Sequence, residues 1–398
     1  MLPVTVAPPA ESERAITRIF REIAQKYSLQ LTMLSHNWIV TFTNPPTKKQ
    51  AGVFGYKFDI NGAAAQSKCD DKVATAETLI DKKVPAIPHK IFLRDSNVDL
   101  VDPSGSMNQI YKYTAKFNHD VVCKPVSDSG GRDVQHVKNI LQLNSAVTTL
   151  FAKSPTLCIS PYRSFTHEYR IIMLDGEPQL AFKKIKPHLV GDGSTSVFDL
   201  YFEWARTHQA SFKKIDQSSL PMDNVLKKGE ILELGWKHNL CNGATAELLS
   251  LHKRKITPLS PKSCPLSSAM PEEAKLMIIT TIAKNAVEAL GIRFCSVDIA
   301  EISEAQFEVV EVNSGVMMEN LIKQYGLPVY DKAKKIYEKV ICRMLDISFI
   351  ESEDSEEETS PMALAMHGKF NFSVSSTTTH LIDSASNLRS RPEDEGKR

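Results

Sequence analysis

Apolar residues recur at helical spacing at Ile16, Ile19, Phe20 and Ile23, which predicts a helix over 11–26 with acidic residues in its first turn. Residues 29–35 and 38–42 read as two strands, followed by a loop holding Pro45 and Pro46. A helix over 74–80 ends where Pro85 and Pro88 remove backbone donors. Short strands are expected at 91–93, 121–124 and 156–160, and helices at 107–117 and 196–207. Residues 169–174 and 179–182 form a hairpin about Asp175-Gly176. The clearest helix spans 271–290, with Pro271 at its start, Glu272 and Glu273 in its first turn and Gly291 just past its end. Another amphipathic helix covers 328–344. Between them lie two apolar, β-branched strands, 295–299 and 307–313. Segment 208–270 follows neither period.

Composition narrows the classes. The chain has 398 residues, 42% of them hydrophobic, enough for two or three lobes. A net charge of +1 supplies no field to recruit nucleic acid or an anionic membrane. No apolar run approaches the ~20 residues that span a bilayer, and the N-terminus lacks a basic stretch leading into an apolar core. Seven cysteines (69, 123, 158, 241, 264, 295, 342) form no CxxC pair and read as reduced and mostly buried in a cytoplasmic protein. From Glu351 an acidic run passes into Ser/Thr-rich sequence, a composition expected to stay disordered.

Chemistry concentrates in a few segments. Glu311 and Asn313 share one face of a strand, and Asp298 on its neighbour adds a second carboxylate. Three hard oxygen ligands suit Mg²⁺ held with a substrate phosphate. Lys124 ends a strand and precedes Ser129, Gly130 and Gly131, a loop whose backbone N–H groups can close over phosphate oxygens. No GxxxxGK[ST] and no GxGxxG occurs. Glu168 and Arg170 share a strand face, with Lys183 and Lys184 on the returning strand. The plain reading is an exposed cross-strand charge pair worth less than ~1 kcal/mol. The functional one sets a carboxylate near a ribose and a cation near a transferring phosphoryl group. Asp71 beside Lys72 is an ordinary acidic helix cap, whatever else Lys72 does.

The order Asp71-Lys72, Lys124 with its Gly loop, Glu168-x-Arg170, Gly191-Asp192-Gly193, Asn239, Asp298 and Glu311-x-Asn313 resembles the ATP-grasp superfamily over roughly 55–345. It looks most like the carboxylate–amine ligases of the RimK, glutathione-synthetase-like and cyanophycin-synthetase type. The resemblance implies an α+β ATP-grasp fold: a small N-terminal α+β region (1–70), two α+β subdomains clamping ATP (71–348) and the tail (349–398). It implies Lys72, Lys124, Ser129, Gly130, Gly131, Ser160, Glu168 and Asn239 as nucleotide-binding residues. Arg170 and Lys184 become catalytic, and Asp298, Glu311 and Asn313 hold Mg²⁺, with Mn²⁺ as the alternative ion. Lys184 and Lys237 stand where relatives often have Arg, which keeps the charge and loses the bidentate fork. The implied reaction joins the carboxylate of an amino acid or peptide to an amine through an acyl phosphate, in a chain compatible with a homo-oligomer. The alternatives are a nucleotide-binding regulatory module without turnover and a scaffold acting through its acidic tail.

Overall fold

The computed structural model describes residues 13–94, 106–127, 133–184, 188–207, 220–234, 246–249, 251 and 270–350. The chain opens with α1 (Ala15–Lys26), whose Ile16, Ile19, Phe20 and Ile23 are all buried. A four-stranded antiparallel meander follows: β1 (Gln30–Leu34), β2 (Ile39–Thr43), β3 (Gln50–Phe54) and β4 (Lys57–Phe58). The first turn of α1 carries no acid, contrary to expectation. A distant carboxylate does that work: Glu319 accepts from the Ala15 and Ile16 N–H groups at 2.9 and 3.0 Å. Glu319→Ala leaves those donors unpaired at the positive end of the helix dipole, and should cost about 1–2 kcal/mol in urea denaturation. An unchanged midpoint would show the cap to be idle.

After α2 (Ala63–Asp70) and α3 (Lys72–Asp81) comes a second antiparallel sheet. It is built from β5 (Lys90–Leu93), β6 (Val121–Lys124), β7 (Gln135–Val137) and β8 (Thr156–Pro161), in the order β5-β8-β6-β7. Helices α4 (Met107–Thr114) and α5 (Ile140–Lys153) join one core with Phe92, Val121, Cys123, Leu157 and Ile159 of this sheet. Neither α5 nor β7 stands out in the opening reading of the chain. The signal for α5 is present, with Leu143, Val147 and Leu150 buried at helical spacing after the cap Asn139.

The central sheet has five antiparallel strands. Chain order gives β9 (His167–Leu174), β10 (Glu177–Lys184), β11 (His188–Val190), α6 (Val197–Thr207), β12 (Ile231–Glu233), β13 (Ala246–Leu249), α7 (Glu272–Leu290), β14 (Phe294–Ser303), β15 (Gln306–Asn313), α8 (Glu319–Tyr325) and α9 (Leu327–Leu345). The order across the sheet is β13-β10-β9-β14-β15, while β11 and β12 form a separate ribbon. Asp175 and Gly176, both at positive φ, make the tight β9–β10 turn. Tyr169, Ile171 and Val297 share a core with Ile279, Ala283 and Leu290 of α7 on one face of the sheet. On the other face Ile172, Phe182 and Phe294 join a core with α1, the N-terminal meander and α9. Phe58 stacks on Tyr337 at 5.6 Å and meets Phe294 edge-on at 5.2 Å, so the first and last elements pack against the middle of the chain.

The fold is α+β, as the sequence leads one to expect. Five cysteines (69, 123, 158, 295 and 342) are free and buried. Burial pushes the thiols of Cys69 and Cys123 up to about 12 and that of Cys158 to about 11, so they stay protonated and poorly nucleophilic. Among the described residues no helix is long and apolar enough to cross a membrane. Cys241, Cys264 and the tail from 351 lie outside the described residues.

Candidate functional site

Strand register assembles the site. Phe182, Arg170, Asp298 and Glu311 lie side by side across β10, β9, β14 and β15. Lys184 and Glu168 form the next pair along the same face, and Asn313 stands opposite Ser296. Because side chains alternate along each strand, six residues expected to carry chemistry meet on one surface: Glu168, Arg170, Lys184, Asp298, Glu311 and Asn313.

The middle of this surface is a buried ion network. Asp298, 1% exposed, accepts from Arg170 Nε at 2.6 Å and Nη2 at 2.5 Å. Lys184 Nζ adds a third contact to Asp298 at 3.0 Å and also pairs with Glu168. The reading of Glu168, Arg170 and Lys184 as exposed cross-strand charges is therefore corrected, since Glu168 and Lys184 are each 8% exposed. Burial works to raise the Asp298 carboxyl, but Arg170 and Lys184 outweigh it and hold the group well below the usual carboxylate range. Burial pushes Glu168 up against the pull of Lys184, and the Asp298 charge adds to the push.

Glu311 is different. Its side chain is 34% exposed, it lies 3.9 Å from Arg170 Nη2, and its Oε1 accepts from Asn313 Nδ2 at 3.0 Å. A carboxylate and an amide carbonyl on one strand face are donor types that fit a hard cation such as Mg²⁺, and the Asn313 amide nitrogen occupies one Glu311 oxygen. Asp298, the third expected ligand, has both oxygens engaged by cations, and must release one of them to join a metal. Among the described residues no cluster of three His, Cys, Asp or Glu side chains is arranged for a metal ion.

The second sheet brings its lysine to the same place. Lys124 pairs in register with Cys158, so Lys124, Cys158 and Ser160 share one face of β6 and β8. Burial and the charge of Lys72 push the Lys124 ammonium down, while Glu311 is near enough to oppose the shift. Lys72 begins α3, capped by Asp71, and donates its N–H to Val126 O just beyond β6. Arg170 and Lys184 from the central sheet, Lys124 from the second sheet and Lys72 from α3 therefore line the site, with Glu168, Asp298, Glu311 and Asp71 as their counter-charges. Ser129, Gly130, Gly131 and Asn239 lie outside the described residues, as does Lys237.

Gly191-Asp192-Gly193 has a structural role of its own. Asp192 Oδ1 accepts from the Ser194 and Thr195 N–H groups just ahead of α6. A Cβ at Gly191 would meet Lys227 O at 2.2 Å, so only glycine fits. His89, at the junction of the two sheets and close enough to Lys124 and Lys72 to feel their charge, is a buried residue that reading the sequence passes over.

The sequence matches no protein-family model and no curated protein. The fold is similar to that of a bifunctional glutathione synthetase from Pasteurella multocida at 17% identity, covering 83% of this chain and 43% of that one, with a TM-score of 0.45. It is similar to D-alanine–D-alanine ligase from Bacillus anthracis at 14% identity, over 72% of this chain and 69% of that one, TM-score 0.43. The ATP-grasp ligase PsnB, solved with a minimal precursor, matches at 12% identity, over 72% of this chain and 64% of that one, TM-score 0.37. The chain spans less than half the length of the glutathione synthetase.

Proposed function

We propose that this chain is an ATP-dependent carboxylate–amine ligase acting on an amino acid or peptide and releasing ADP and phosphate. The observation that carries this reading is the row Arg170, Asp298, Glu311 with Asn313, set near Lys124 of the second sheet. Cations for phosphates and oxygens for a metal converge there from two sheets. A substrate carboxylate oxygen attacks the γ-phosphorus of ATP and ADP leaves. The amine nitrogen then attacks the acyl carbon, loses a proton and expels phosphate. Lys72 and Lys124 bind the phosphate chain, and Glu168 faces the ribose. Arg170 and Lys184 stabilise the group in transfer, where positioning and charge do most of the work. Mg²⁺ held by Glu311, Asn313 and Asp298 would neutralise phosphate charge when bound.

The test is Mg²⁺-dependent ADP and phosphate release across a panel of amino acids and short peptides, with mass spectrometry of products. A product lighter by one water than its two reactants supports a ligase and identifies its substrates. ATP binding with no release across the panel favours the regulatory alternative. Lys124→Met removes one charge-assisted contact and should weaken ADP binding about 10- to 100-fold by calorimetry. Unchanged affinity would move the phosphates elsewhere.

A further inference from the structure

His89 sits where the chain crosses from one sheet to the other. Upstream, Pro85 O accepts from Val309 N–H at 2.8 Å and Ile87 N–H donates to Val309 O at 3.0 Å, which ties the segment to the edge of the central sheet. Downstream β5 begins, with Lys90 opposite Ile159. Further along β5, Ile91 stands opposite Cys158, which in turn pairs with Lys124 of β6. The imidazole is 6% exposed. Its Nδ1 lies 2.7 Å from Ile87 O. A carbonyl only accepts, so Nδ1 carries the proton, and in the neutral ring Nε2 is a bare acceptor. Burial, with the charges of Lys124 and Lys72, lowers the His89 pKa to about 3 and keeps the ring neutral. Among the described residues Nε2 has no hydrogen-bond partner.

An unpaired buried acceptor costs folding free energy. Ionised phosphate oxygens have no proton to give it. A nucleotide carries donors only on its nucleoside part. We propose that His89 is a specificity residue of the nucleotide site, its Nε2 accepting a hydrogen bond from the base amine or a ribose hydroxyl. This rests on the reading of the site as an ATP site. It divides the labour: lysines bind phosphates, and a neutral imidazole selects the nucleoside.

Two substitutions isolate the atom. His89→Asn keeps an N–H donor near the position of Nδ1 and removes the acceptor at Nε2. His89→Gln can return an amide oxygen there. Calorimetry on the full chain compares ADP, IDP, 2′-deoxy-ADP, 3′-deoxy-ADP and inorganic tripolyphosphate. Wild type should bind ADP about 10-fold more tightly than the analogue lacking the donor that His89 uses. IDP identifies the amine, and a deoxy analogue identifies the hydroxyl. His89→Asn should erase that preference and leave tripolyphosphate binding unchanged, while His89→Gln restores part of it. Equal losses for ADP and tripolyphosphate would mean that His89 acts through the lysines, and would overturn the proposal. So would an undiminished preference in His89→Asn. A wild-type chain that binds neither ADP nor tripolyphosphate overturns the ATP reading and this inference together.

Discussion

Glu311→Gln should lower ADP release about 10²- to 10³-fold with the fold intact. Removing one charged group that acts on the reacting phosphates typically costs that much. Glutamine keeps the shape and the hydrogen bond to Asn313 but loses the charge that draws a hard cation. Stability should stay within about 0.5 kcal/mol, because the side chain is one-third exposed and makes no short ion pair. The Mg²⁺ dependence of ADP binding gives a readout separate from turnover, and it should flatten in the variant. A folded variant with wild-type turnover would remove Glu311 from the machinery.

Asp298→Ala should behave in the opposite way and damage the fold itself. Asp298 is buried and neutralises Arg170 and Lys184 together. Its removal leaves the buried Lys184 with Glu168, and Arg170 with Glu311 at 3.9 Å. Breaking a buried ion pair in this manner costs about 3–5 kcal/mol, readable as a lower urea midpoint. Its folded-state pKa is depressed, so its stabilisation is complete above the unfolded value of about 3.9 and is lost as pH falls below it. Glu168 has the opposite sign: its raised pKa gives a contribution that is largest at low pH and is lost as pH rises. The gap between wild type and Asp298→Asn should therefore narrow below about pH 4. A gap that stays constant down to pH 2 would show that the Asp298 charge does not act through Arg170 and Lys184.

Elements with a strong period were legible in the sequence. The α7 helix announces itself by Pro271, two first-turn acids and Gly291, and the structure places Glu272–Leu290 there. The β9–β10 hairpin is written in Asp175-Gly176. Short elements such as β4, with two residues, carry no period to read. The cap on α1 was hidden for another reason: Glu319 lies 304 residues from Ala15. The same holds for His89, whose unpaired nitrogen is a statement about neighbours and leaves no mark on spacing.

By itself the sequence determined the fold class, the strands that carry Arg170, Asp298, Glu311 and Asn313, and the face each presents. Alternation along a strand is local, so two residues apart means the same side. Only the tertiary structure decided that Arg170, Asp298 and Glu311 form one row, since register between β9, β14 and β15 is set by how their apolar faces pack. Packing also turned Asp298 into the buried partner of two cations while its neighbour Glu311 stayed open. The two carboxylates differ in burial, a property of the assembled sheets and of no residue alone.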